Sequence, residues 1–338
     1  MEQPIQNTEM KFIIALKTGE EQGYVSDKVD IDLDLGDTND FELQMQQDDW
    51  SKDKYWYGSR IFIPGTEYGG IMNDLEVITG TREIVWRGPT WRGLLAQKVV
   101  EPPEGEDHLT VSGDLNDVLR ELIGDRFDGL FFVPASMTGV SVSGWQVDRY
   151  VTLYDAITKL LDSKGYRLQI IYVEPEDLEY GYVTLQAVPV TDYSDDLEYS
   201  REGKVEFTIR DNQGGVNHLI CAGKGQDEER IILHLYVQED GSIGKTQFYR
   251  GLEEHEAVYE FSSADLEKLE ENGTKRLKNL QNRKSIDVEV NEISAEIGDI
   301  VGGYEEITGT RLQKPITGKV IKVKNGKLTV EYKIEGDE

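Results

Sequence analysis

Apolar and polar residues alternate along much of the first hundred residues, a pattern that predicts β-strands with one buried face. In residues 30–46 the alternation runs on both sides of a polar turn at Gly36-Asp37, which predicts a hairpin. The apolar positions of this hairpin are Ile31, Leu33, Leu35, Phe41, Leu43 and Met45. Other short apolar segments, bounded by Gly or Pro, are KFIIAL, SRIFIPG, GGIMNDLEVI and REIVWRG. We expect this region to form a compact antiparallel barrel or sandwich.

Helical spacing replaces the alternation after the acidic, turn-rich segment EPPEGEDHLTVSG. Apolar residues recur every three or four positions in DLNDVLRELIG and VTLYDAITKLLDSKG, and Gly124 and Gly165 are stop signals. The two apolar stripes consist of Leu115, Val118, Leu119 and Leu122, and of Leu153, Ile157, Leu160 and Leu161. The strands YRLQIIYV and YVTLQAV follow the second helix. The middle of the chain is therefore expected to be a small mixed α/β unit.

The last third of the chain returns to strands, with one long helix among them. Strands are predicted over KVEFTIRD, VNHLICAG, ERIILHLYV, SIDVEV and EIGDIVGG. Ser262 and Asp265 resemble a capping box at the start of the helix, which Gly273 interrupts. The apolar face of this helix consists of Leu266, Leu269, Leu277 and Leu280. Asn325-Gly326 is the turn that twisted hairpins prefer, so a terminal hairpin closes the chain.

Together these patterns predict an α+β fold that is mostly β. We expect three domains: a first β domain over residues 1–104, a small α/β insert over 105–185, and a second β domain over 186–338. The second β domain would carry the long helix and the terminal hairpin. Both boundaries fall near acidic segments that read as loops, EPPEGEDHLTVSG and TDYSDDLEYSREG.

The charge of the chain argues against a nucleic-acid partner. It has 65 acidic and 36 basic side chains, a formal net charge of -29, whereas binding to phosphates needs a basic surface. The same charge repels copies of the chain from one another, so a homo-oligomer requires apolar contacts or a basic partner. The N-terminal residues do not resemble a signal peptide, and no apolar run approaches the roughly 20 residues of a membrane helix, so we expect no membrane insertion.

Several residues invite a metal-binding interpretation, and each has a simpler one. Asp30, Asp32 and Asp34 suggest a calcium loop, but the positions that need Gly and Glu hold Leu35 and Phe41. A solvated strand face explains the aspartates better. The histidines His108, His218, His234 and His255 lack the short spacing of a zinc motif. His218 and His234 lie in separate strands and could meet only by folding, so we predict no metal ligand.

No signature of an enzyme emerges from the remaining motifs. Cys221 is the single cysteine, which fits a reducing cytoplasm, and its strand-like flanks predict a buried structural thiol. No GxSxG sequence occurs, and AGKGQ lacks the spacing of a phosphate-binding loop. We therefore predict no catalytic residue and no cofactor.

Two Trp-Arg-Gly triplets stand within eight residues, at Trp86-Arg87 and Trp91-Arg92. An aromatic residue beside a basic one suggests a carbohydrate or nucleic-acid binder. A packed corner between a strand and a short helix needs similar chemistry. We favour the corner, because Trp with Arg is also common in buried protein interfaces.

The order of these features resembles that of bacteriophage tail hub proteins, the baseplate or tail-tip hub family also found in prophages and contractile injection particles. The resemblance rests on GPTWRGLLAQKVVEPP, the helices LNDVLRELIG and TLYDAITKLLDSKGYRL, and VNHLICAGKGQDEERIILHLYVQEDG. LEENGTKRLKNL and EIGDIVGG complete the order. The sequence departs at Gln97-Lys98, where many relatives carry a basic residue before the apolar pair.

The resemblance implies a structural, non-enzymatic virion protein with two tube-like β-barrel or sandwich domains and a small α/β insert. Three chains would form a homotrimer whose ring joins the sixfold tail tube to a threefold tip, spike or fibre. Its implied partners are tail-tube and distal tail proteins, the tip, spike or fibre protein, and the tape-measure protein, and its implied location is the virion tail. On the same resemblance, Gly88-Pro89 makes the turn of the Trp-Arg-Gly corner, and Arg87 and Arg92 face acidic neighbours at subunit contacts. The alternatives are a tail-associated peptidoglycan-degrading enzyme that acts through carboxylates of the central unit, and a cell-wall glycan-binding module. Some longer relatives carry a separate hydrolase behind this fold, for which we expect no room after the last hairpin.

Overall fold

The structure is a computed structural model, and it describes residues 11–25, 30–36, 38–174, 180–194, 205–212, 214–290, 295–305, 309–324 and 327–334. Side chains are described for most of these residues, but not for residues 30–35, 205–211, 283–290, 303–305 or 310–312.

The described residues include twenty-four strands and four α-helices. The strands are β1 Ile13–Ala15, β2 Glu21–Tyr24, β3 Asp30–Leu35, β4 Asp40–Gln46, β5 Arg60–Phe62, β6 Gly69–Ile71, β7 Asp74–Ile78, β8 Glu83–Pro89, β9 Val99–Val100, β10 Thr110–Asp114, β11 Phe131–Phe132, β12 Ser141–Gln146, β13 Val151–Thr152, β14 Tyr166–Val173, β15 Tyr182–Pro189, β16 Val205–Asn212, β17 His218–Ala222, β18 Ile232–Val237, β19 Ile243–Gly244, β20 Glu256–Glu260, β21 Arg283–Val290, β22 Ile300–Glu305, β23 Thr310–Lys324 and β24 Lys327–Ile334. The helices are α1 Trp91–Ala96, α2 Leu115–Ile123, α3 Leu153–Asp162 and α4 Leu266–Leu280.

The chain divides into two compact units. Unit 1 draws on residues 1–207, 288–303 and 313–335, and unit 2 on residues 208–287, 304–312 and 336–338. Three domains were expected from the sequence, with the terminal hairpin in the last of them. The units divide the chain differently because β23 pairs with β3, which brings the terminal hairpin into unit 1.

The largest sheet of unit 1 combines strands from both ends of the chain. Its order is β22-β23-β3-β4-β8-β7, and β24 pairs with β23 as its seventh strand. β3 and β4 pair antiparallel, as the alternation predicted, and Phe41, Leu43 and Met45 are buried. The side chains of Asp30, Asp32 and Asp34 lie outside the described residues, as do Asp37 and the Asn325-Gly326 turn.

Both helices expected in the α/β region are present, and each begins at a capping side chain. Asp114 caps α2 and Thr152 caps α3, each accepting a backbone N–H of the first turn. Gly124 follows α2 with a φ of 49°, a left-handed conformation that glycine adopts without a steric penalty. The core of unit 1 joins these helices to a three-stranded sheet ordered β11-β15-β14. The apolar stripes of both helices are buried in it: Leu115, Val118, Leu119, Leu122, Leu153, Ile157, Leu160 and Leu161.

A buried carboxylate holds the C-terminal segment of unit 1 in place. Asp299 is fully buried and accepts hydrogen bonds from the Arg167 side chain at 2.6 Å and from the backbone N–H groups of Thr191 and Glu296 at 2.9 Å each. A buried charge is tolerated when it is paired and hydrogen-bonded in this way. The contact fixes the start of β22 beside the end of β15.

Unit 2 is a four-stranded sheet with one helix packed on one face. The strand order is β19-β18-β17-β20, in which β17 and β20 are parallel and the other pairs antiparallel. The core between α4 and the sheet includes Leu219, Cys221, Leu233, Leu235, Leu269 and Leu277.

Two details of α4 differ from the sequence prediction. Its N-cap is Asp265, which accepts the Lys268 N–H at 3.0 Å, so the observed cap lies three residues after the expected cap Ser262. Gly273 does not interrupt the helix, which is continuous from Leu266 to Leu280. A Cβ at Gly273 would lie 2.6 Å from the Cys221 Sγ, so glycine lets the helix approach β17 closely.

The fold is mostly β with few helices, as predicted, but no sheet among the described strands closes into a barrel. Of the helices in the described ranges, none is long and apolar enough to cross a membrane.

Candidate functional site

Trp86, at the centre of β8, is completely buried and packs among aromatic rings. The Tyr57 ring meets it edge-on with centroids 5.1 Å apart, and the Trp56 ring does so at 6.3 Å. Such edge-to-face pairs stabilise beyond their buried area. No side of the indole is open, since Trp86 is 0% exposed.

Trp91, the first residue of α1, is also 0% exposed but belongs to a different cluster. It lies parallel to Tyr172 at 5.8 Å, and Tyr172 stacks in turn on Phe62 at 3.8 Å. The two tryptophans therefore anchor opposite ends of the strand-to-helix connection in separate aromatic clusters. Neither indole leaves a face on which a sugar ring could stack.

The connection between the tryptophans turns at Thr90, one residue after the expected turn at Gly88-Pro89. β8 continues through Gly88 and Pro89, and Thr90 caps α1 by accepting the Gly93 N–H at 3.3 Å. Gly88 serves close packing instead of the turn, because a Cβ there would lie 1.9 Å from the Ile71 carbonyl oxygen.

Arg92 is buried inside unit 1 with its charge paired. Its guanidinium lies 2.7 and 2.8 Å from Glu67 Oε2, donates to the Tyr154 hydroxyl at 3.2 Å, and reaches the Leu168 carbonyl at 3.4 Å. Burial alone would lower the pKa of Arg92, but the charge of Glu67 and the Tyr154 hydroxyl raise it above its ordinary value. Arg92 thus ties α1 to α3, to β14 and to the loop that carries Glu67.

Arg87 meets acidic residues on the open face of the large sheet. It lies 2.7 Å from Glu42 and 2.9 Å from Glu76, across both neighbouring strands, and 3.9 Å from Asp74. The hydrogen bonds that Arg87 donates to Glu76 and Glu42 raise its pKa. Both arginines therefore face acidic partners within the chain itself, and only Arg87 is accessible from solvent.

A second cluster lies in unit 2, on the sheet face opposite α4. His218 Nδ1 lies 2.7 Å from Glu254 Oε1 and 3.0 Å from Glu256 Oε1, and its Nε2 lies 2.8 Å from His234 Nδ1. Tyr236 stacks on the His218 ring at 4.3 Å. Within the part of the chain that the structure describes, His218, Glu254 and Glu256 are the one group of three residues placed to hold a metal ion.

Strand pairing explains how the histidines meet. His218 pairs with Tyr236 on β18, and His234 lies two residues before Tyr236 on the same face of that strand. On its other side, His218 pairs with Glu256 on the parallel strand β20. Alternation places His218 on the outward face, while Leu219 and Cys221 point to α4. The signal was present in the HLICA and ILHLYV strands, but the pairing of β17 with β20 is a crossover that spacing along the chain does not reveal.

The remaining candidates stay apart from this cluster. His108 and His255 face the backbone carbonyls of Val147 and Gly215, each at 3.1 Å. Cys221 is buried, and burial raises the pKa of its thiol to about 11, the opposite of an activated nucleophile.

A cleft of about 450 Å³ opens in unit 1. Arg60 and Asp128 supply charge, and Phe132, Tyr180 and Tyr182 supply aromatic surface. Phe132 is half exposed, and its ring meets that of Tyr182 edge-on at 5.6 Å.

Comparison with known proteins gives structural neighbours only. No protein-family model and no curated protein sequence match the chain. It is similar to the prophage tail protein gp18 from Listeria monocytogenes, with 15% identity, a TM-score of 0.46, and 96% of this chain and 94% of that one covered. A tail protein from Neisseria meningitidis shares 13% identity at a TM-score of 0.44, covering 96% and 97%. A chain of the phage P2 baseplate in its activated conformation with Ca is 8% identical at a TM-score of 0.46, with 97% of this chain and 99% of that one covered.

Proposed function

We propose that this chain is a structural protein of a phage tail, a baseplate or tail-tip hub without enzymatic activity. Three copies form a ring that joins the tail tube to a tip, spike or fibre, and the ring is located in the virion tail. The order of sequence features that resembles this family supports the proposal. So does the presence of two compact units, each with its own hydrophobic core.

The observation that carries the proposal is the open face of the unit 2 sheet. α4 packs on one face only, and on the other Val258 is 66% and Ile232 is 48% exposed. Ile220 lies beside Val258 in the paired strands, so the apolar residues are adjacent. Exposed apolar surface on a soluble chain marks an interaction site. The occupant we propose is a second copy of this chain, because apolar contact is what a subunit of charge -29 needs to overcome self-repulsion.

Substitutions on this face test the proposal. The variant Ile232→Glu with Val258→Glu adds two charges to the apolar face without touching the core beneath α4. We expect it to remain folded by circular dichroism and to sediment as a single chain, while the unmodified chain sediments as a trimer. Val99→Glu, at a residue 47% exposed in unit 1, is the matched control and should leave the trimer intact. A double variant that sediments like the unmodified trimer would overturn this assignment.

Cell-wall glycan binding is the second candidate function, and the cleft of unit 1 favours it. Half-exposed aromatic rings beside Arg60 and Asp128 offer both stacking and hydrogen bonds to a sugar. This function predicts saturable binding of purified cell-wall polysaccharide that Phe132→Ala weakens at least tenfold. Peptidoglycan hydrolysis, the enzymatic alternative, predicts release of reducing ends or free amines from purified peptidoglycan, abolished by changing one acidic residue.

A further inference from the structure

We propose that His218, Glu254 and Glu256 form a binding site for a divalent transition-metal ion of the zinc type, where the sequence predicted no metal ligand. The site lies within unit 2, on the same outer sheet face as Val258 and Ile232, and all three ligands come from one chain, so the inference does not rest on the proposed hub function. Imidazole nitrogen together with carboxylate oxygen is a ligand set that zinc accepts, whereas calcium and magnesium prefer oxygen alone.

The ligand atoms already lie close to the spacing that such an ion requires. His218 Nδ1 lies 2.7 Å from Glu254 Oε1 and 3.0 Å from Glu256 Oε1. Bonds of about 2.1 Å in a tetrahedral site separate ligand atoms by about 3.4 Å. Each carboxylate therefore has to retreat by less than about 1 Å. The Glu256 side chain is 57% exposed and Glu254 is 21% exposed, so rotation of these side chains can supply that distance.

The surrounding residues orient the imidazole for this role. A His218 that gives Nδ1 to a metal carries its proton on Nε2, and His234 Nδ1 stands 2.8 Å away to accept it. Tyr236 stacks on the ring, and Gln247 donates to Glu254 Oε1 at 2.7 Å. Metal-bound histidines and carboxylates typically have such outer partners, which hold the ligand in the required orientation.

Charge at the cluster also favours a bound cation. A neutral His218 has one proton to offer at Nδ1, yet two carboxylates converge on that atom. A cation placed among the three groups compensates the excess negative charge. A divalent ion compensates both carboxylates and leaves a fourth coordination position beside Glu256, the most exposed of the three ligands.

Calorimetry on the metal-free chain tests the site. We expect the full chain, dialysed against EDTA and then buffer at pH 7, to bind one Zn²⁺ per chain. Co²⁺ in the same place should give the visible absorption of a tetrahedral site. Glu256→Gln keeps the shape of an exposed side chain, and we expect it to weaken binding at least tenfold and to abolish the Co²⁺ spectrum. His234→Ala removes the proton acceptor and should weaken binding about 10- to 100-fold.

Glu260→Gln is the matched control, since Glu260 is an exposed carboxylate at the other end of the same strand. It should bind Zn²⁺ as the unmodified chain does. Absence of binding by the folded unmodified chain would overturn the proposal. Equal affinity of Glu256→Gln and the unmodified chain would also overturn it. The stoichiometry is counted per chain, and the light-scattering mass of the same samples shows separately whether the chain is a trimer.

Discussion

Arg92 and Glu67 form an ion pair with both side chains almost completely buried, 3% and 5% exposed. The guanidinium reaches Glu67 through two nitrogens and also contacts Tyr154 and Leu168, so one residue of α1 bridges three other segments of unit 1. Glu67 Oε1 is buried without a hydrogen-bond partner among the described residues, which makes the carboxylate dependent on Arg92. The second Trp-Arg-Gly triplet is therefore a structural anchor.

Arg92→Ala is expected to lower the free energy of unfolding by about 3–5 kcal/mol, because it leaves the Glu67 carboxylate buried and unpaired. Urea unfolding followed by tryptophan fluorescence measures the change. Arg87→Ala is the matched control from the first triplet. Its ion pairs are partly exposed, so the loss should be at most about 1 kcal/mol. Equal losses for the two variants would contradict the anchoring role of Arg92.

The N-cap of α4 gives a second prediction. Asp265→Ala removes the side chain that accepts the Lys268 N–H and should destabilise the protein by about 1 kcal/mol. Ser262→Ala should cost almost nothing, because Ser262 lies before the helix and is exposed. Thermal unfolding of both variants checks the pair. A larger loss for Ser262→Ala would restore the helix start that the sequence alone suggested.

Close packing of α4 on β17 gives a third prediction. Gly273→Ala places a methyl group against Cys221 Sγ and Leu235 Cδ1, at 2.6 and 2.9 Å, and overpacking of this kind costs about 1–3 kcal/mol. In a Cys221→Ala background the clash with sulfur is gone, and the better helix propensity of alanine should offset much of the remaining cost. A double-mutant cycle on unfolding free energies measures this coupling. If the losses of unfolding free energy in Gly273→Ala and Cys221→Ala simply add in the double variant, the Cys221 sulfur is not what opposes a methyl group at position 273.

Asp114 predicts how stability responds to acid. Burial would raise its pKa, but hydrogen bonds from Thr138, Asn116 and Gly139 outweigh burial and lower the pKa below its ordinary value. A carboxyl with a depressed folded pKa stabilises the protein above its unfolded pKa, and this contribution is lost as pH falls through the folded pKa. Asp114→Asn should therefore cost about 2 kcal/mol at pH 6 and progressively less below about pH 4. Urea midpoints of both chains from pH 6 to pH 2.5 provide the measurement, and a difference that stays constant would contradict it.

Local patterns predicted the elements that depend on neighbouring residues. The stripe of Leu115, Val118 and Leu119 predicted α2, and the alternation around Phe41 predicted β4. Both patterns depend only on the spacing of residues that are close in sequence. The turn between Trp86 and Trp91 was harder to predict from the sequence. Gly88 resembled a turn residue, whereas its role is set by the Ile71 carbonyl from another strand.

Long-range pairing accounts for what the sequence did not reveal. The hairpin that contains Val320 was expected in a separate domain, but it joins β3, nearly 300 positions earlier. Long-range pairing also forms the cluster around His218. His218, His234 and Glu256 come from three strands, and only the order of those strands in the sheet brings them together.

The central claim, a threefold ring, is tested most directly by the light-scattering mass of the purified, unmodified chain across a range of concentrations. The proposal predicts a mass three times the 38.4 kDa of one chain. A mass that remains that of a single chain at every concentration would contradict it, and would direct attention to the cleft around Arg60 and Phe132.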